Sequence, residues 1–177
     1  MITLDGPSVA PKAGGEARQL IVFLHGYGSN GDDLIALAPY WADILPEAEF
    51  LSPNAPFPCE INPYGGFQWF GFEDRSAEMI LGGTRAAAAI LDGFLDAQLQ
   101  ARGLDERSLA LVGFSQGTMM SLHVGLRRKM PPAAILGFSG MLVGAGKLKD
   151  EVTRAPPVLL IHGDQDPMIP IAAMFDS

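Results

Sequence analysis

Five short apolar runs punctuate the chain, and between them apolar residues return at helical rather than alternating spacing. Gln19-Leu20-Ile21-Val22-Phe23-Leu24 is the first, and it runs straight into His25-Gly26-Tyr27-Gly28. A continuous apolar run that ends in a glycine loop predicts a strand covered on both faces. Similar runs at 49–52, 109–112, 133–138 and 158–161 predict four more strands, and residues 2–4 a short edge strand. Helices are predicted over 33–44, with Asp32 as cap, over 84–100, stopped by Gly103, and over 116–129, stopped by Pro131-Pro132. A weaker, shorter helix is expected between the last two strands. Alternation of buried strands with amphipathic helices predicts an α/β domain whose sheet is mostly parallel. Residues 53–72 are rich in proline, glycine and aromatics and predict a long loop, the kind that serves function or moves.

With 177 residues, 48% apolar and 18% charged, the chain reads as one globular domain spanning 1–177. A formal net charge of −8 argues against nucleic acid and offers no basic patch to an anionic membrane. The apolar runs are too short for a transmembrane segment. Cys59 is the single cysteine, so no internal disulfide forms, which fits a reducing, cytoplasmic setting. As a nucleophile it lacks any partner in its surroundings and reads as a plain thiol.

Three segments carry candidate chemistry. Gly113-Phe114-Ser115-Gln116-Gly117 follows an apolar strand and opens a helix, the setting of a nucleophile elbow. The tight turn lifts the Ser115 hydroxyl above the sheet, and glycines on either side have no side chain to clash. It also leaves the Gln116 amide at a helix N-terminus, suited to a developing oxyanion. The glycine loop at 25–28 can bring a second amide, that of Tyr27, toward the same space. His162-Gly163-Asp164-Gln165-Asp166 follows another buried strand, so its carboxylates belong at the same sheet edge as Ser115. One of the two can orient a histidine while the other caps the loop.

Leu24-His25-Gly26-Tyr27-Gly28, Gly113-Phe114-Ser115-Gln116-Gly117, Gly137-Phe138-Ser139-Gly140 and His162-Gly163-Asp164-Gln165-Asp166, in this order, resemble the phospholipase/carboxylesterase group of α/β-hydrolases, which includes acyl-protein thioesterases. The resemblance runs from about residue 20 to 170. It implies an α/β-hydrolase fold, a mostly parallel sheet with helices on both faces. It implies Ser115 as nucleophile, the Tyr27 and Gln116 N–H groups as oxyanion hole, and Asp166 as the acid. Asp166 is preferred to Asp164 because it directly precedes Pro167-Met168-Ile169-Pro170, as the acid does in the family. The implied substrates are small-molecule, lipid or protein-borne carboxylic esters and thioesters, with no metal or organic cofactor. Thr118 stands where family members often carry a second glycine.

The aromatics of the long loop, Phe57, Trp69 and Phe70 among them, could wall an acyl pocket or simply pack the loop onto the core. Met141 and Met168 could line the same groove, or fill core like other methionines.

The third triad member is not found. The expected order is serine, acid, histidine, and none of the eleven residues after Asp166 is histidine. His123, eight positions past Ser115 on one helix, would lie about 12 Å along its axis. His25 reads as a brace for the glycine loop and His162 as an organiser of the Asp166 loop. The 177-residue chain is therefore expected to be nearly inactive, keeping the ~10³ to 10⁴-fold advantage over water left to a triad without its base. The parent polypeptide is expected to continue and to add a strand and a helix. Without them an uncovered edge would favour self-association. The competing expectation is a non-catalytic hydrolase-like module that binds a lipid or a protein.

Overall fold

A computed structural model of the chain describes residues 3–152 and 154–177. Six strands form one sheet: β1 (Ser8–Val9), β2 (Gln19–Leu24), β3 (Ala48–Leu51), β6 (Leu109–Phe114), β7 (Ala134–Phe138) and β8 (Val158–Ile161). Their spatial order is β1-β3-β2-β6-β7-β8, and every pairing is parallel except that of β1 with β3. A separate two-stranded hairpin, β4 (Phe57–Pro58) with β5 (Phe67–Gln68), lies inside the segment expected to be a loop.

Both faces of the sheet are covered because successive side chains along a strand point to opposite sides. Leu20, Val22 and Leu24 of β2 pack with Leu109 and Leu111 of β6 against α3 (Ala77–Arg102) and α4 (Gln116–Gly125). Ile21 and Phe23 face the other way, joining Phe50 and Val112 under α1 (Gly31–Ile35) and α2 (Ala38–Ala42). In α3 the residues Ile80, Thr84, Ala87, Leu91, Leu95 and Leu99 are buried, a stripe at helical spacing. The buried Arg128 guanidinium, just past α4, ties that helix to Asp92 and Asp96 of α3.

Several expected boundaries shift for local reasons. The helix expected at 33–44 is two helices, α1 and α2. Pro39 stands in the first turn of α2 and has no N–H to continue from α1. Asn30, not Asp32, caps α1, its side chain accepting the Asp33 N–H at 3.1 Å. Helix α3 begins earlier than expected, with Ser76 as cap, because Gly82 and Gly83 do not interrupt it. A β-carbon on Gly83 would press on Phe70 at 2.7 Å, so glycine there serves packing. Gly103 ends α3 in the left-handed conformation, φ 63°. Helix α4 stops at Gly125, short of the prolines, and the chain leaves it in tighter turns. Of the edge strand expected at 2–4, Ile2 lies outside the described residues and Thr3 and Leu4 are not strand; β1 takes that edge instead. The weak helix between the last two strands is α5 (Ala145–Glu151), and α6 (Ile171–Phe175) follows β8.

From β2 the chain steps outward to β3 and later returns to β6 on the other side. The sheet order therefore reverses between β2 and β6, and the crevice at their carboxyl ends is where open α/β sheets bind ligands.

Candidate active site

Ser115 sits at that crevice, directly after β6 and before α4. Its backbone is strained, with φ 52° and ψ −113°, a conformation that costs on the order of 1–3 kcal/mol for a residue with a side chain. The surroundings compensate. Its N–H donates to Phe138 O at 2.8 Å, and its carbonyl accepts from Thr118 and Met119 to start the helix. The glycines of the elbow are sterically required. A β-carbon on Gly113 would overlap the Gly117 backbone, and one on Gly117 would overlap the carbonyls of Leu24 and His25. The crowding is thus between the two glycines and between Gly117 and β2, not against the serine as expected. Gln116 heads α4, where an amide has no acceptor within the helix.

The glycine loop after β2 runs past the serine. A β-carbon on Gly26 would stand 3.3 Å from Ser115 Cβ, so Tyr27 follows a residue in contact with the elbow. His25 braces this loop from below. It is buried, its Nδ1 pairs with Gly26 O at 2.8 Å, and its Nε2 accepts the Ala55 N–H at 2.9 Å. Burial holds its pKa below the usual histidine value, with the Gly26 carbonyl pulling the other way. The Tyr27 hydroxyl donates to Glu60 at 2.9 Å, and burial, followed by the Glu60 carboxylate, pushes the phenol pKa up.

Asp166 stands across the cleft on the loop after β8. Its Oδ1 accepts the Ile169 and Met168 N–H groups at 3.0 and 2.8 Å. Those two amides hold its carboxyl below the usual aspartate range, against a smaller opposing effect of burial; His162 and Ser139 add to the lowering. A cleft of about 540 Å³ is lined by Phe114, Ser115, Ser139 and residues 163–169. Serine and acid therefore share one cavity. Asp164 lies on the same loop but is exposed.

None of the three imidazoles lines this cleft. Both ring nitrogens of His25 are engaged. His123 is buried on α4. The His162 side chain is fully buried, its Nε2 paired with Ile169 O at 2.8 Å and 3.4 Å from Asp166 Oδ2.

The aromatic segment 53–72 divides by burial. Trp69 and Phe70 are core residues and do not line the cleft. Phe57 is exposed on β4, and Met141 packs half-buried against the core. Of the five residues considered for a substrate pocket, Met168 alone is in the cleft, where it is largely exposed.

Two features escaped the sequence reading. The Gln116 side chain accepts the Trp69 N–H at 2.9 Å and donates to Phe70 O at 2.8 Å, clamping the aromatic segment to the elbow. Ser139 lines the same cleft as Ser115 and Asp166. The signals for it were its place directly after a buried strand and its membership of the Gly137-Phe138-Ser139-Gly140 segment, which carries part of the family resemblance but was given no role.

A family model described as Phospholipase/Carboxylesterase matches residues 5–177. Acyl-protein thioesterase 1 of Schizosaccharomyces pombe is 32% identical over 172 residues, covering 93% of this chain and 73% of the relative. Esterase YpfH of Escherichia coli is 30% identical over 162 residues, covering 88% of this chain and 65% of the relative. Among solved structures, that of esterase PE8 superposes with a TM-score of 0.92 at 44% identity, over 97% of this chain and 80% of that one.

Proposed function

Because the chain belongs to the phospholipase/carboxylesterase family and is a hydrolase of the carboxylesterase/thioesterase type with the α/β-hydrolase fold, we propose that it cleaves carboxylic esters or thioesters through an acyl-enzyme on Ser115. The observation that carries this reading is the strained Ser115 elbow sharing one cleft with Asp166, with the Gly26 loop so near that a β-carbon there would touch the serine β-carbon. An imidazole on the open side of Asp166 takes the Ser115 proton as the hydroxyl attacks the carbonyl carbon. Asp166 holds that imidazole in the right tautomer. The Tyr27 and Gln116 N–H groups receive the oxyanion, the alcohol or thiol leaves with the proton, and water then releases the acid.

His25, His123 and His162 are buried side chains and none of them lines the cleft, although His162 packs behind Asp166 and Ile169, and this speaks against each of them as the base. Residues 1–177 alone accordingly turn over at a residual rate. Fluorophosphonate labelling of the 177-residue protein, with Ser115→Ala as control, tests the nucleophile. Slow labelling that Ser115→Ala abolishes is expected. Labelling that survives the substitution overturns the assignment, and no labelling at all favours a non-catalytic lipid- or protein-binding module. Turnover of a p-nitrophenyl ester, with and without added free imidazole, tests the base. Stimulation by imidazole is expected, and full turnover without it would place the base within these residues.

Val158, Leu159 and Ile161 of the edge strand β8 are exposed, which supports self-association of the 177-residue species; a monomer in sedimentation would count against it. A cytoplasmic setting agrees with the free, buried Cys59 thiol. Among the described residues no helix is long and apolar enough to cross a membrane.

A further inference from the structure

Ser115 and Ser139 are the two non-glycine residues with positive φ among those described, at 52° and 48°. They are joined in series across three neighbouring strands. Ser115 N–H donates to Phe138 O at 2.8 Å, and the next residue, Ser139, donates its N–H to Ile161 O at 2.9 Å. Gly140 then keeps the chain close, since a β-carbon there would approach Ser115 O to 2.8 Å. Glycine occupies left-handed backbone without penalty, whereas any residue with a β-carbon is strained in it. Glycine stands at 137 and 140, yet a serine occupies the left-handed position between them. Persistent strain of this kind points to use of the side chain.

The Ser139 side chain opens onto the cleft that holds Ser115 and Asp166, and its N–H bond to Ile161 O ties it to the end of β8, the strand that leads into the Asp166 loop. Oδ1 of that carboxylate is occupied by the Met168 and Ile169 amides. Oδ2 has His162 Nε2 at 3.4 Å, but that nitrogen pairs at 2.8 Å with Ile169 O. Oδ2 is thus the oxygen left for an incoming imidazole.

We propose that Ser139 is a positioning residue for the triad acid: its hydroxyl donates to the Asp166 carboxylate and holds Oδ2 toward the base. The role in the reaction rests on the reading of Ser115 and Asp166 given above; the contact itself does not. A hydrogen bond to the ionised form favours ionisation, so its loss raises the pKa of the acid. Ser139→Ala and Ser139→Gly together separate the two explanations of the residue: both remove the hydroxyl, and the glycine, which also loses the β-carbon, relieves the backbone as well.

The test is a ¹³C NMR titration of aspartate carboxyls in the 177-residue protein, with Asp166→Asn to assign the resonance, repeated in Ser139→Gly and Ser139→Ala. The Asp166 midpoint is expected at higher pH in both variants, with the Met168 and Ile169 amide resonances in place and Ser139→Gly at least as stable as the parent. An unmoved midpoint in Ser139→Gly overturns the proposal. So does a midpoint that rises only together with displacement of those two amides, because the loop would then carry the change. The measurement needs no turnover. A failure of Ser115 labelling with a shifted midpoint removes the reaction and leaves the contact, and the reverse result removes the contact alone.

Discussion

Gly117 lies so close to the Leu24 carbonyl that a β-carbon on it would occupy the space of the oxygen. The contact joins the first turn of α4 to the end of β2, and so seats Ser115 beside the Gly26–Tyr27 loop. Rigid backbone on both sides leaves no flexible side chain to yield. Gly117→Ala is expected to destabilise the protein by about 3 kcal/mol, measured by urea denaturation, and to slow fluorophosphonate labelling. A loss under about 1 kcal/mol would mean that the elbow can move.

The Gln116 amide makes two buried hydrogen bonds, to Trp69 N and Phe70 O. Gln116→Leu leaves both backbone groups unpaired, at a cost of roughly 3 kcal/mol. The backbone amide at 116 is retained, so the main structural effect falls on the aromatic segment. Limited proteolysis is expected to cut within residues 53–72 faster than in the parent protein; an unchanged digestion pattern would show that other contacts hold the segment.

Thr118 has a use that a glycine could not supply. Its hydroxyl accepts the Phe138 N–H at 3.0 Å and can donate to Gly113 O or Phe138 O, at 2.7 and 2.9 Å. It thereby pins α4 to the ends of β6 and β7. Thr118→Val keeps the shape and removes the hydroxyl, and is expected to cost about 1–2 kcal/mol. Equal denaturation midpoints for the two proteins would refute this.

His123 makes stability depend on pH. Histidine ordinarily titrates near 6.5; burial, and then the Arg127 guanidinium, hold His123 down to about 4. As pH falls below 6.5 the unfolded chain takes up a proton that the folded chain refuses. Stability is therefore full above that value and falls progressively toward pH 4, by roughly 3 kcal/mol in all. His25 is shifted in the same direction. Denaturation at pH 7 and pH 5 is expected to show the loss, and His123→Gln to lessen it. A parallel pH dependence in the variant would assign the loss to other groups.

The chain's own pattern determined a good deal. Runs such as Leu20 to Leu24 and Leu109 to Val112 specify strands covered on both faces, because only buried backbone tolerates unbroken apolar side chains. The glycines at 113 and 117 mark a strand-to-helix turn, since the steric demand there is local and severe. Gly103 ends α3 through its own backbone limits, as the pattern predicts, whereas Pro39 splits the stretch read as one helix over 33–44. What the tertiary structure decided depends on contacts between residues far apart in sequence. Trp69 and Phe70 became core because α3 and the Gln116 amide reach them, which aromatic content alone does not reveal. Ser139 came to share a cleft with Asp166 because β7 and β8 pair in parallel at one register. Spacing along a chain carries no record of that register; the alignment of neighbouring strands, set by packing on both faces of the sheet, does.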